Sequence, residues 1–229
     1  MWKKKAIGKI GTIFEPHRIQ GPARDIERTA PLAGSESVFR HIAEATEREA
    51  ILDHLAAIRF AVTFAELKFE AMFEPCGGRG PDLLVLRDDQ SSYVEVRRFR
   101  PSRRQTDLPC LLTVSEAAED EELVRYGNFE MEVKKIEDEL SNKFRQVEVG
   151  TSIVAFWSDR FEDIDFELAI KHLRIDSANG IKRVPSGLLF CIFASDWSSS
   201  GGQQLRCGVL KPLAEPFATW AKELESVRF

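Results

Sequence analysis

The chain has 229 residues, of which 43% are hydrophobic and 30% charged, and its formal net charge is -5. This size and composition predict one large domain, and the acidic balance provides no overall attraction to nucleic acid or anionic membrane, so such binding requires a local basic patch. No apolar run approaches the roughly 20 residues of a membrane span, and the first residues lack the apolar core of a signal peptide. We therefore expect a cytoplasmic protein with no membrane contact.

Residues 1–34 are rich in glycine, proline and basic residues and show no sustained period, which predicts an extended N-terminal arm. Lys3, Lys4 and Lys5 form a small basic cluster there, of a kind that is most often simply solvated. Apolar residues then recur at helical spacing over residues 38–62, as one long helix or two short ones. A break is favoured because Thr46 followed by Glu49 fits a capping box.

The next residues predict a short strand (69–74), a glycine-rich turn (75–80) and two apolar strands (81–87 and 92–99). Beyond them the pattern predicts further elements over the rest of the chain. These are helices over residues 128–147, 161–173 and 216–227, and strands over residues 151–157, 187–194 and 206–210.

Two carboxylates interrupt the two apolar strands. A hairpin with its turn centred on Asp88 and Asp89 places Asp82 opposite Glu95. Facing side chains lie roughly 5 Å apart, and two like charges at that distance repel unless a cation lies between them. Mg²⁺ prefers such oxygen ligands. The alternative is that Asp82 only caps a turn and that Glu95 pairs with an arginine.

Side chains alternate along a strand, so Glu95 and Arg97 share one face while Val94, Val96 and Arg98 share the other. The order of helix, strand, Gly-Pro-Asp strand, turn, Glu-containing strand, helix and strand resembles the PD-(D/E)XK nuclease superfamily. Pro81, Asp82, Glu95, Val96 and Arg97 carry the motif, and the resemblance covers about residues 46–157. It implies an α/β fold of restriction-endonuclease type, in which helices flank a mixed central sheet in one domain over residues 35–229.

By this resemblance, the carboxylates of Asp82 and Glu95 and the carbonyl of Val96 bind a catalytic Mg²⁺ (or Mn²⁺), with an acidic residue of the preceding helix, Glu49 or Glu47, as a further ligand. The implied activity is hydrolysis of phosphodiester bonds in nucleic acid. The family's lysine is replaced by Arg97. Arginine still binds phosphate oxygens, but it cannot act as a base because it does not deprotonate in proteins.

A basic cluster follows the motif and predicts contacts with a nucleic-acid backbone. Its alternative is a solvated loop whose arginines pair with the acidic residues 116–122. Lys143 and Gln146 share a helix face and resemble positions that the superfamily uses at its site; the alternative is an exposed polar face. The arginines of the cluster beyond Arg97 are Arg98, Arg100, Arg103 and Arg104.

Three hypotheses follow for the function. The first is a metal-dependent nuclease, with nucleic acid as its partner. The second is a nuclease fold without catalysis that binds nucleic acid or a protein. The third is an α/β interaction protein in which the carboxylates are structural. The aromatic C-terminal segment with Phe217 and Trp220 packs either in the core or against a second copy in a homodimer.

Overall fold

Five of the seven α-helices that the structure describes follow apolar stripes predicted from the sequence. The computed structural model describes residues 1–14, 16–76, 80–99, 133–143, 152–158, 163–181, 184–195 and 205–227. The helices in these ranges are α1 (Trp2–Ile10), α2 (Gln20–Thr29), α3 (Ser35–Glu44), α4 (Arg48–Glu66), α5 (133–143), α6 (Asp163–Ala178) and α7 (Phe217–Ser226).

Six strands form one sheet, with the neighbours in chain order from β1 at one edge to β6 at the other. The protein therefore has an α/β fold, as the sequence predicts, and each described strand overlaps a predicted one. The strands are β1 (Glu70–Phe73), β2 (Leu83–Arg87), β3 (Gln90–Phe99), β4 (Ser152–Ser158), β5 (Leu188–Ser195) and β6 (Arg206–Gly208).

The chain divides into two compact units, one comprising residues 1–98 and 149–157 and the other residues 99–148 and 158–229. In the first unit, α1 packs against α3 and α2 packs against α4. Its core contains Phe39, Phe60 and Phe64, whose side chains are almost wholly buried. Helices α3 and α4, which precede the β2–β3 hairpin, therefore contribute large side chains to an apolar core.

The second unit has its own core. Phe166 of α6 stacks on Phe193 of β5, with ring centroids 5.0 Å apart. Trp220 of α7 is fully buried, which agrees with core packing rather than with a contact to a second copy. The predicted helix over residues 128–147 is confirmed for residues 133–143, where Val133, Ile136 and Leu140 are buried on one face as the apolar period requires.

The first 34 residues differ from the predicted extended arm, because α1 and α2 lie within them. Pro22 falls in the first turn of α2, where a helix tolerates proline because no backbone N–H is needed there. Ala6, Ile10 and Ile26 are fully buried. Packing of these few apolar side chains stabilises helices that the local composition does not predict.

Candidate functional site

The β2–β3 hairpin has the predicted register. Leu83 pairs with Val94 and Arg87 pairs with Gln90, so the two turn residues are Asp88 and Asp89. Both have positive φ, 52° and 60° respectively. A two-residue turn with positive φ at both positions has the twist that suits a hairpin, and aspartate tolerates this conformation better than most residues. The turn chemistry therefore fixes which residues of β2 and β3 face one another.

Asp82 lies one residue before the paired part of β2, at a bend. Its Oδ2 accepts a hydrogen bond from the backbone N–H of Val96, with a distance of 2.7 Å. Its carbonyl oxygen accepts a hydrogen bond of 2.8 Å from the N–H of Glu74, just after β1. Continuing the register by one position places Asp82 opposite Glu95. The structure thus holds the Asp82 carboxylate against the peptide that follows Glu95.

The two faces of β3 differ in their surroundings. Val94 is fully buried and Arg98 nearly so, whereas Glu95 and Arg97 are half-buried. Because side chains alternate along a strand, Glu95 and Arg97 lie on the face opposite Val94 and Arg98. The acidic residue and the basic residue of the motif therefore share one face of the strand, as predicted.

Arg98 lies in the interior, with only 2% of its side chain exposed. Its Nη2 donates to Oε2 of Glu49, and its Nε donates to Oδ1 of Asp53 at 3.2 Å; both acceptors belong to α4. A guanidinium held in the interior by two carboxylates cannot reach the phosphates of a nucleic acid. The structure therefore corrects the predicted role of Arg98 in nucleic-acid binding. Alternation along β3 leaves Arg97 half-buried on one face and buries Arg98 on the other.

The predicted capping box at α4 does not form. The helix begins at Arg48, its N-cap residue is Glu47, and no side chain caps its first turn. Glu49 instead pairs with Arg98. Since Arg98 and Glu95 lie on opposite faces of β3, the structure brings Glu49 to the Arg98 face and not to Glu95. The role of Glu49 as a metal ligand is not supported by this arrangement.

The remaining predicted contact residues are mostly beyond the described ranges. Lys143 is half-buried at the last described position of α5. Four others fall outside the part of the chain that the structure describes: Arg100, Arg103, Arg104 and Gln146.

The structure also brings together Ser37, His41, His54 and Glu74, a cluster that the sequence analysis does not predict. Glu74 accepts a hydrogen bond from Ser37 Oγ at 2.7 Å, and its other carboxylate oxygen is 3.1 Å from Nδ1 of His41. The rings of His41 and His54 have centroids 5.4 Å apart. Burial lowers the pKa of His54 below its ordinary value, and the neighbouring His41 lowers it further. Ser37 and His41 lie on α3, His54 lies on α4 and Glu74 follows β1, so no local spacing in the sequence joins all four residues.

The oxygen donors of the hairpin suit a hard divalent cation better than a soft one. An ionised carboxylate has about four acceptor sites, and the bond from Val96 N–H to Asp82 occupies one of them. Within the described ranges, no group of three or more His, Cys, Asp or Glu side chains has a metal-binding arrangement. A site at the hairpin would thus combine the two carboxylates of Asp82 and Glu95 with a main-chain carbonyl.

No protein-family model, no curated protein and no solved structure matches this chain. Among the helices that the structure describes, none combines the length and the apolar character needed to cross a membrane.

Proposed function

We propose that this protein is a metal-dependent nuclease of the PD-(D/E)XK type, which hydrolyses phosphodiester bonds in nucleic acid. One observation carries the proposal: the register of the β2–β3 hairpin, whose continuation by one position puts Asp82 opposite Glu95. Alternation along β3 puts Arg97 on the same strand face as Glu95. A pair of facing carboxylates with a cationic neighbour has the charges that a bound metal ion and a phosphate require.

In this proposal, Mg²⁺ or Mn²⁺ would be held by the carboxylates of Asp82 and Glu95 and by the carbonyl oxygen of Val96. When bound, a divalent ion supplies Lewis acidity and lowers the pKa of water at the site. The hydrogen bond from Val96 N–H orients the Asp82 carboxylate before any ligand arrives. That orientation reduces the reorganisation that metal binding would otherwise require.

Arg97 would bind the non-bridging oxygens of the scissile phosphate and stabilise the negative charge that develops there. It cannot remove a proton from the attacking water, because a guanidinium stays protonated in proteins. The replacement of lysine by Arg97 therefore also favours a second candidate function, a nuclease fold that binds nucleic acid without cleaving it. Both candidate functions predict that the protein binds nucleic acid, but only the first predicts that it cleaves it.

The first test is calorimetric titration of Mn²⁺ and Mg²⁺ into the protein and into Asp82→Asn and Glu95→Gln. These variants remove charge and keep an oxygen that can accept a hydrogen bond. Asp89→Asn is the matched control, since Asp89 is an exposed carboxylate of the same hairpin. We expect metal affinity to fall at least tenfold in the first two variants and to persist in the control. Unchanged affinity in Asp82→Asn and Glu95→Gln would disprove the metal site.

A cleavage assay separates the two candidates. Labelled single- and double-stranded DNA and RNA are incubated with the protein and Mg²⁺ or Mn²⁺. For a nuclease, Arg97→Ala should lower the cleavage rate by about 10²–10³, the usual effect of removing one group that stabilises transition-state charge. Metal-independent binding with no cleavage of any of the four substrates would favour the second candidate.

A further inference from the structure

Helix α1 presents a basic surface on an ordered scaffold. Ala6 and Ile10 are fully buried, and the helix packs against α3. Lys4, Lys5 and Gly8 are exposed, and Lys9 is half-buried. At about 100° per residue these four positions lie on one side of the helix, away from Ala6 and Ile10. We call these four residues the basic face.

The charge of this face is not neutralised locally. Residues 1–14 contain four lysines and no acidic residue, in a chain whose net charge is -5. Within the described ranges, no lysine of the basic face forms an ion pair. Glu–Lys pairs at i,i+4 spacing stabilise exposed helices, and α1 contains none. The absence of such pairs leaves a local concentration of positive charge on α1.

Two further contacts shape the basic face. Lys5 Nζ lies 4.5 Å from the centroid of the Trp2 ring, which holds this ammonium group close to the first turn of the helix. Gly8 is exposed in the helix interior, and a Cβ built on it would meet no atom within 4 Å. Glycine lowers helix stability relative to alanine, and no packing contact of Gly8 requires it. A bare backbone between lysines allows another molecule to approach closely.

We infer that the basic face of α1 binds the phosphodiester backbone of a nucleic acid, outside the hairpin site. The inference rests on the proposed function for its choice of substrate class. The lysines supply the charge that phosphates require. Because Gly8 has no side chain, the nucleic-acid backbone can come close to the helix. An anionic membrane is a less suitable partner for the basic face. A helix that binds a membrane surface inserts its apolar face into the lipid, whereas the apolar face of α1 is buried against α3.

Fluorescence anisotropy of a labelled 20-base-pair DNA duplex and of its single strand tests this inference, in EDTA so that no metal-dependent cleavage occurs. The test variant is Lys4→Glu/Lys5→Glu. The control is Lys171→Glu/Lys222→Glu, which makes the same charge change at exposed lysines of α6 and α7. We expect the test variant to bind at least tenfold more weakly than the control at 100 mM KCl.

The salt dependence of binding supplies a second readout. Loss of two phosphate contacts should reduce the slope of log K against log salt by about 2 in the duplex. Gly8→Gln should raise the melting temperature, because glutamine is the better helix former, and yet weaken binding at least threefold. These opposite signs cannot come from unfolding.

The inference is overturned if parent and test variant bind equally well, if test and control variants weaken equally, or if the parent binds neither DNA form. Vesicles of phosphatidylserine and phosphatidylcholine form the other arm. Binding to these vesicles that depends on Lys4 and Lys5, without binding to DNA, would overturn the choice of nucleic acid. DNA binding that depends on these lysines, with no cleavage of DNA or RNA in Mg²⁺ or Mn²⁺, would refute the nuclease proposal and leave this inference intact.

Discussion

Replacing Arg98 with methionine tests the charge network that joins β3 to α4. Methionine keeps most of the apolar length of the arginine stem and removes the guanidinium. Removing one partner from a buried ion pair usually costs about 3–5 kcal/mol. Glu49 and Asp53, however, keep 40% and 34% of their side chains exposed, so water can solvate both carboxylates after the change. We therefore expect a loss of about 2 kcal/mol, below the fully buried range.

Arg28→Met is the matched control. Arg28 pairs with Glu66, and both side chains are about half exposed, at 49% and 47%. Exposed pairs contribute less than about 1 kcal/mol. Urea unfolding at pH 7 measures both variants, with the shift of the midpoint at constant slope giving the change in stability. If Arg98→Met costs no more than Arg28→Met, the network does not stabilise the protein and the reasoning is wrong.

Glu49→Gln separates two roles of the same carboxylate. If Glu49 serves to neutralise Arg98, the variant should lose stability and bind Mn²⁺ as the parent does. A tenfold loss of Mn²⁺ affinity with unchanged stability would restore Glu49 as a metal ligand, against the arrangement of the faces of β3.

Three other changes test separate features. Burial lowers the pKa of His54 below the value of 6.5 for an unperturbed histidine, so the unfolded chain binds a proton at His54 more tightly than the folded chain does. The stability that the protein has at pH 7.5 should therefore fall as the pH drops through 6.5 towards the folded pKa. His54→Leu should flatten that part of a plot of urea midpoint against pH. Asp89→Gly should stabilise the protein by about 1 kcal/mol in thermal unfolding, because glycine removes the strain of a positive φ. An unchanged stability of this variant would argue against strain at Asp89. Gly34→Ala should destabilise the protein by about 2 kcal/mol or more, because φ at this position is 79° and the new Cβ would clash with the carbonyl oxygen of Phe73. An unchanged melting temperature would contradict this clash.

The sequence could predict the hairpin because its register depends on local information. A two-residue turn between two apolar strands leaves one way to pair them, and the observed pairs follow it. The apolar stripes of α3 and α4 were also readable, since burial imposes a helical period on them. The break between these helices was predicted correctly, although the capping contact offered as its cause is absent.

The roles of individual charged residues were harder to predict. The arginines after Glu95 form one cluster in the sequence, but alternation along β3 separates Arg97 from Arg98. Only the position of α4 shows that Arg98 is buried against two partly exposed acidic partners. The contact between His41 and Glu74 joins residues 33 positions apart on different elements. Local spacing carries no information about such contacts, because tertiary packing alone brings the partners together.

The edge of the sheet at β1 is partly covered by the chain itself. Phe73 N–H donates a hydrogen bond of 2.9 Å to the carbonyl oxygen of Ala33, and Ala33 forms a parallel bridge with Met72. A strand edge with free peptide groups can recruit a strand of another molecule and start aggregation. Because Ala33 precedes β1 in the chain, the covering segment leaves the ribosome before the strand that it protects. The newly made sheet therefore need not pass through a stage in which this edge is open to a neighbouring chain.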